Sequence, residues 1–283
     1  MEPPQSLGLV AGDGCLPREI ARAASEKGCR VVAVALEGFC DPGLEQAVDS
    51  IHWVALGQVE RLVDLFAREG LRDAVFAGGI RGALMPGDGR LRLDARALTM
   101  LEKLENMSDD SIFGALVDEL ERNAIAVQSQ ADWVPHLVAR PGMLGEGSVT
   151  PQQGRDSEFG FRVVRSLGRL GVGQCAIVRR GRVLALEAIE GTDAAIRRAG
   201  EWGAAGAVVV KAARPHQDLR FDLPAVGLGT LEAMRKAEAT VLAFEAGRTL
   251  LLDPDEMIRR ARTFGIALLG IACEDAPEAP LKW

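Results

Sequence analysis

The chain has 283 residues, 48% of them hydrophobic and 26% charged, which is more than one core ordinarily requires and points to a soluble protein of two domains. Its formal net charge of −7 excludes bulk affinity for nucleic acid, because phosphate backbones are held by clustered Lys and Arg. The opening "MEPPQSLGLV" lacks a basic region followed by an apolar one, and no apolar run approaches the roughly 18 residues that span a bilayer, so the expected location is the cytoplasm with membrane contact at most peripheral.

In chain order, short apolar runs alternate with helical patterns through the first half: "LGLVAG" (7–12), "PREIARAASEKG" (17–28), "RVVAVAL" (30–36), "SIHWVAL" (50–56), "QVERLVDLFAREG" (58–70) and "DAVFAGG" (73–79). That rhythm predicts βαβ units and a Rossmann-like parallel sheet in an N-terminal domain over 1–138. Helices are expected over 94–105 and 109–122, the second started by Ser108-Asp109-Asp110. Pro and Gly punctuate 136–154, where the boundary is placed, and a mixed α/β domain is expected over 139–283. It begins with a helix over 157–171, followed by two β-like runs joined at Arg180-Gly181, a turn and helix over 190–203, and the strand "AGAVVV". Helices over 228–239 and 254–263, two short apolar runs between them and the strand "GIALLGIA" complete it.

Cys15, Cys29, Cys40, Cys175 and Cys273 are an odd number without CxxC spacing, so reduced and mostly buried thiols are expected. His52, His136 and His216 form no HExxH-type pair, which argues against zinc. After the first strand, Gly12, Asp13 and Gly14 open like a dinucleotide fingerprint, and Glu37 ends the next strand where a ribose-binding acid would sit. Pro17 occupies the place of the third glycine. A glycine turn feeding a helix N-terminus remains; it suits a phosphate or nucleotide contact through backbone N–H groups, or is a plain tight turn.

"KAARPHQDLRFDLPAVG" (211–227) sets a density of charge after the buried-looking strand, where open α/β sheets place their ligands. Within it "DLRFDL" alternates, so an extended half-buried segment is expected with Asp218, Arg220 and Asp222 on one face. Fully extended, Asp218 and Asp222 would stand about 13 Å apart, so either the stretch bends or the two acids act separately. Arg220 could simply bridge to its neighbours. A second charged turn holds Glu187, Glu190, Thr192 and Asp193, where Thr192 or Asp193 could instead cap a helix. Together the two turns offer carboxylates beside Lys211, Arg214 and Arg220, the set that serves a hard divalent cation, a pyrophosphate and an attacking water.

"AGDGCLP", "FAGGIRG", "SDDSIFGALVDELE", "VGQCAIVRRGRVLALEAIEGTD" and "KAARPHQDLRFDLPAVG" occur in an order that resembles the LpxI family of UDP-2,3-diacylglucosamine pyrophosphatases over essentially the whole chain. The resemblance implies two α/β domains with the substrate in a cleft between them. It implies that water attacks the phosphorus nearer the glucosamine, releasing UMP and 2,3-diacylglucosamine 1-phosphate (lipid X) for lipid A synthesis. A divalent metal, Mg²⁺ or Mn²⁺, a homodimer and work at the cytoplasmic face of the inner membrane are implied with it. The aspartate of "RFD" matches Asp222, as metal ligand or water orienter, with Glu190 and Asp193 completing the metal shell. Asp218, Arg220 and Lys211 are the further catalytic candidates, and Gly12, Asp13, Gly14, Arg81, Thr192, Arg214 and Gln217 the substrate-binding ones. A NAD(P)-dependent oxidoreductase or other nucleotide-binding enzyme, and a non-catalytic lipid or nucleotide carrier, are the competing classes.

Overall fold

The computed structural model describes residues 4–80, 89–215 and 217–272. They form two compact units, one spanning Met1–Pro135 together with Asp218–Asp222 and the other His136–Gln217 together with Leu223–Trp283. Both are α/β.

In the first unit β1 (Ser6–Ala11), α1 (Leu16–Glu26), β2 (Arg30–Leu36), β3 (Ser50–Val54), α2 (Val59–Glu69), β4 (Asp73–Ala77), α3 (Ala95–Leu101), α4 (Asp109–Arg122), β5 (Ala126–Val127) and the single turn α5 (Gln130–Trp133) follow one another. The strands line up as β3-β2-β1-β4-β5, every pair parallel, which is the Rossmann order expected from the alternating rhythm. β1 and β2 read as near-continuous apolar runs because helices cover both faces of such a sheet. Helix starts follow local chemistry: Asp94 accepts from Ala97 N–H, and Ser108 accepts from Ser111 N–H.

The second unit runs β6 (Gly142–Leu144), α6 (Pro151–Arg169), β7 (Cys175–Arg179), β8 (Arg182–Leu186), α7 (Thr192–Glu201), β9 (Val208–Lys211), β10 (Ala225–Val226), α8 (Leu228–Lys236), β11 (Val241–Glu245), β12 (Leu250–Leu251), α9 (Pro254–Phe264) and β13 (Ala267–Ile271). Its main sheet has the order β6-β13-β11-β9-β7-β8. β9, β11 and β13 are parallel, while β6, β7 and β8 are joined antiparallel. β10 and β12 make a separate parallel pair.

Two expectations need correction. Residues 136–154 are not simply punctuation, since they contain β6 and the first turn of α6. That helix starts at Pro151, capped by Thr150 and Gln153 in a reciprocal box, six residues before the expected 157. The "DLRFD" stretch is not extended: Phe221 and Asp222 N–H both point back to the Asp218 carbonyl, at 3.4 and 3.2 Å, closing a turn.

Candidate active site

At the C-terminal ends of β1 and β4 the chain is drawn backbone to backbone. Gly12 N–H donates to Ala77 O and Asp13 N–H to Gly79 O, both at 2.8 Å, and Gly79 N–H returns to Asp13 O at 3.0 Å. Gly14 N–H donates to the side chain of Asp13 at 2.7 Å. A Cβ on Gly12 would lie 2.5 Å from Gly79 O, and one on Gly78 would lie 2.4 Å from Asp13 O. These glycines let two loops touch. The N–H groups of Gly12, Asp13 and Gly14, expected to face an anion, are spent inside the pair of loops, and no dinucleotide cradle is left in them. Glu37 stands at the end of β2 as expected, 3.9 Å from Arg92. Arg81 lies outside the described residues.

Within the same unit, Phe221 carries the turn 218–222 into the core. Its ring stacks on Phe113, centroids 5.5 Å apart, and meets Phe76 edge-on at 6.2 Å. Gln130, only 4% exposed, donates from Nε2 to the carbonyls of Phe76 and Phe221, each at 2.9 Å, and its N–H donates to Arg220 O. Above this anchor the guanidinium of Arg220 forks onto Asp218, with Nη2 at 2.7 Å and Nε at 3.0 Å, and reaches Glu121 at 2.9 Å. Burial pushes the Asp218 carboxyl up, but the Arg220 hydrogen bonds and charge outweigh it and hold the group below its usual range. Those same contacts hold the guanidinium more firmly protonated. Arg220 and Asp218 are thus each other's partners, the simple bridging arrangement that the sequence left open. Asp222 lies half-buried at the end of the turn.

The second unit holds a buried polar chain at the C-terminal end of β9. Lys211 Nζ donates to Thr192 Oγ1 and to Ala225 O, both at 2.9 Å, and Thr192 Oγ1 donates to Glu187 Oε1 at 2.9 Å. Lys211, Thr192 and Glu187 are all buried. Register explains the convergence: Lys211 pairs with Cys175 across β9 and β7, and Glu187 N–H donates to Cys175 O just beyond β8. Burial drives the Cys175 thiol far above its ordinary value, Glu187 and Asp193 adding to the push and Lys211 opposing it, so that thiol is inert. Thr192 is the first residue of α7 and not its cap, which is Gly191 with no side-chain hydrogen bond. Asp193 accepts from Thr230 at 3.1 Å. Glu190 turns the other way, onto Arg198 and the N–H of Ala188; its own backbone N–H is the first of the contacts that lower its carboxyl, against a push upward from burial. Arg214 and Gln217 close a tight loop, Gln217 Oε1 accepting from Arg214 N–H at 2.8 Å.

Two groups escaped the sequence reading. Gln130 gave no signal, because an amide in "SQADW" looks like any surface residue. Glu245, at the end of β11, is buried and accepts from Ala213 N–H and Arg165, pinning the start of the 212–217 loop. Among the described residues no group of three His, Cys, Asp or Glu side chains is placed to hold a metal ion. Within the second unit, Glu190 is engaged by Arg198 and Asp193 by Thr230; Asp222 belongs to the first unit. No helix among the described residues is long and apolar enough to cross a membrane.

Comparison with known proteins places these features. A curated relative from Caulobacter vibrioides, "UDP-2,3-diacylglucosamine pyrophosphatase LpxI", is 32% identical over 96% of this chain and 100% of its own length. Among solved structures, CobK precorrin-6A reductase covers 98% of this chain and 91% of its own at 13% identity and TM-score 0.36. Glycinamide-RNase-transformylase T from Mycobacterium tuberculosis covers 61% and 38% at 14% identity and TM-score 0.28. Scores this low bear on neither fold nor activity. The LpxI N-terminal domain matches residues 6–137 and the LpxI C-terminal domain residues 140–269, so that, with the whole-length relative, the chain belongs to the LpxI family.

Proposed function

We propose that this chain hydrolyses the pyrophosphate bond of UDP-2,3-diacylglucosamine, water adding to the phosphorus on the glucosamine side as UMP leaves with 2,3-diacylglucosamine 1-phosphate as the other product. The observation that carries the reading is the match of both LpxI domains, in order, along a chain that spans the whole of its named relative. The chemistry of the second unit supports it, because a buried ammonium at the end of β9 can offset charge that grows on a phosphate in the transition state. Asp222, fixed at the end of a turn anchored by Phe221, is the carboxylate proposed to orient the water or hold a cation. The acyl chains of the substrate reside in a bilayer, and the reading includes peripheral work at the cytoplasmic face of the inner membrane.

The reading also includes a divalent cation, Mg²⁺ or Mn²⁺. Magnesium ordinarily takes one or two carboxylates and completes its shell with substrate phosphate oxygens and water, so a preassembled set of three is not required. Asp222 would hold it, and when bound the ion would neutralise pyrophosphate charge. Chelation by EDTA should abolish UMP release from the labelled substrate, and Mg²⁺ or Mn²⁺ should restore it; full turnover by metal-free enzyme would remove the cation from the reading.

The sharper test is Asp222→Asn, which keeps size and removes charge. A loss of roughly 10²-fold or more in single-turnover UMP release, about 3 kcal/mol of barrier, is expected with the melting temperature unchanged. Retention of more than about a tenth of the rate would leave Asp222 a structural residue.

A further inference from the structure

Lys211 is 7% exposed, and Thr192 Oγ1 and Ala225 O take two of its N–H groups. An ammonium has three donors, so one remains to meet an anion. Thr192 can accept from Lys211 only while its own proton points elsewhere. That proton goes to Glu187 Oε1 at 2.9 Å. If the hydroxyl turned round, donor would face donor, and the ammonium would lose one of the two contacts that aim it. Glu187 therefore sets the polarity of the hydroxyl, and through it the direction of the cation.

Glu187 is itself 7% exposed, and its second oxygen, Oε2, has no hydrogen-bond partner. Leaving a buried polar group unsatisfied is costly, and more so when it is charged. The carboxylate is nonetheless suited to this place, because its charge offsets the buried Lys211 ammonium across the Thr192 hydroxyl. The start of α7 partly offsets the cost, because Thr192 opens that helix and its N-terminal end favours a negative charge.

We propose that Glu187 is a positioning residue, which acts through Thr192 to hold the Lys211 ammonium with its third N–H presented to a phosphate of the substrate. The proposal rests on the reading of the chain as a pyrophosphate hydrolase, and its test has an arm that does not.

In the full-length protein, the Lys211 ammonium is followed by proton–nitrogen NMR and assigned by its disappearance in Lys211→Met. Glu187→Leu and Thr192→Val should abolish this slowly exchanging signal or shift it to that of an exposed lysine. The same two variants should lower kcat at least 10-fold while KM moves less than about threefold. Thr192→Ser, which restores the hydroxyl, and Glu187→Gln, which keeps an acceptor oxygen, should each recover kcat to within about threefold of wild type. Glu187→Leu takes a negative charge from beside the buried Lys211 ammonium and should melt lower, so Thr192→Val, which keeps both charges, decides the relay if Glu187→Leu does not fold. The proposal is overturned if Glu187→Leu or Thr192→Val keeps the signal and more than half of kcat, or if Ser and Val at 192 are equally impaired. A wild-type protein that releases no UMP would overturn the hydrolase reading, while the ammonium signal would still decide the relay.

Discussion

Arg220 directs its guanidinium at two carboxylates of its own unit, and this decides what its removal does. The fork onto Asp218 is bidentate, Nε reaching Oδ1 and Nη2 reaching Oδ2, the geometry in which an arginine does most, yet the two side chains are 41% and 35% exposed. Water screens the pair, so its contribution to stability is at most about 1 kcal/mol. The sign of its pH dependence follows from the lowered Asp218 carboxyl. The stabilisation is present above the ordinary carboxylate range, near pH 4, and is lost as the pH falls through the depressed folded value. Melting of wild type should therefore fall more steeply between about pH 5 and pH 2 than melting of Asp218→Asn at the same ionic strength; parallel curves would show that the fork stabilises nothing. Lys211 and Thr192 were legible in the sequence as polar residues beside a buried strand. Gln130 and the part played by Glu187 were not, since each depends on a partner that only the fold brings near.

At the scale of elements, close approach governs the loops after β1 and β4. Because Gly78 and Gly79 lie against Gly12 and Asp13 with no room for a side chain, Gly12→Ala must push two backbones apart and disturb the bond from its N–H to Ala77 O. Strain of this kind should cost roughly 1–3 kcal/mol in urea unfolding, whereas Gly14→Ala, which meets nothing within 4 Å, should suffer only from its positive φ of 95°. Equal losses at both sites would show that contact between the loops is unimportant. The glycines themselves were plain in the sequence, but their purpose stayed open between a phosphate contact and a tight turn, because a turn that fits a phosphate and a turn that fits another backbone use the same residues. "DLRFD" misled for a similar reason. A period of two over five residues is also met by a turn whose single aromatic points inward, and Phe221 does so here between Phe76 and Phe113. The parallel strands of the first unit were easier to read, since "RVVAVAL" is β2 residue for residue.

For the whole molecule, the consequence is that the first unit is not one continuous piece of sequence. The chain passes into the second unit after Pro135, returns at Asp218 and leaves again after Asp222. Apolar spacing made the α/β class legible, but nothing in sequence order says that five residues so far along complete the first core. A fragment of residues 1–138 lacks Phe221 and should melt well below the first unit of the intact chain, since losing a core phenylalanine ordinarily costs about 3–5 kcal/mol. A synthetic peptide of residues 214–226 should raise its melting temperature, and the same peptide with Phe221→Ala should not. A fragment indifferent to both peptides would mean that the aromatic contact is dispensable.

The returning segment also orders events on the ribosome. β1 to β5 leave the exit tunnel first, with Phe76 and Phe113 lacking their third ring and Gln130 lacking the Phe221 carbonyl. Translation at roughly 5–20 residues per second delivers Phe221 only seconds later, after β9 has been made. The nascent N-terminal unit must therefore persist half-finished while its neighbour is synthesised, and a ribosome stalled between β9 and Phe221 would display an aromatic surface that the finished protein buries.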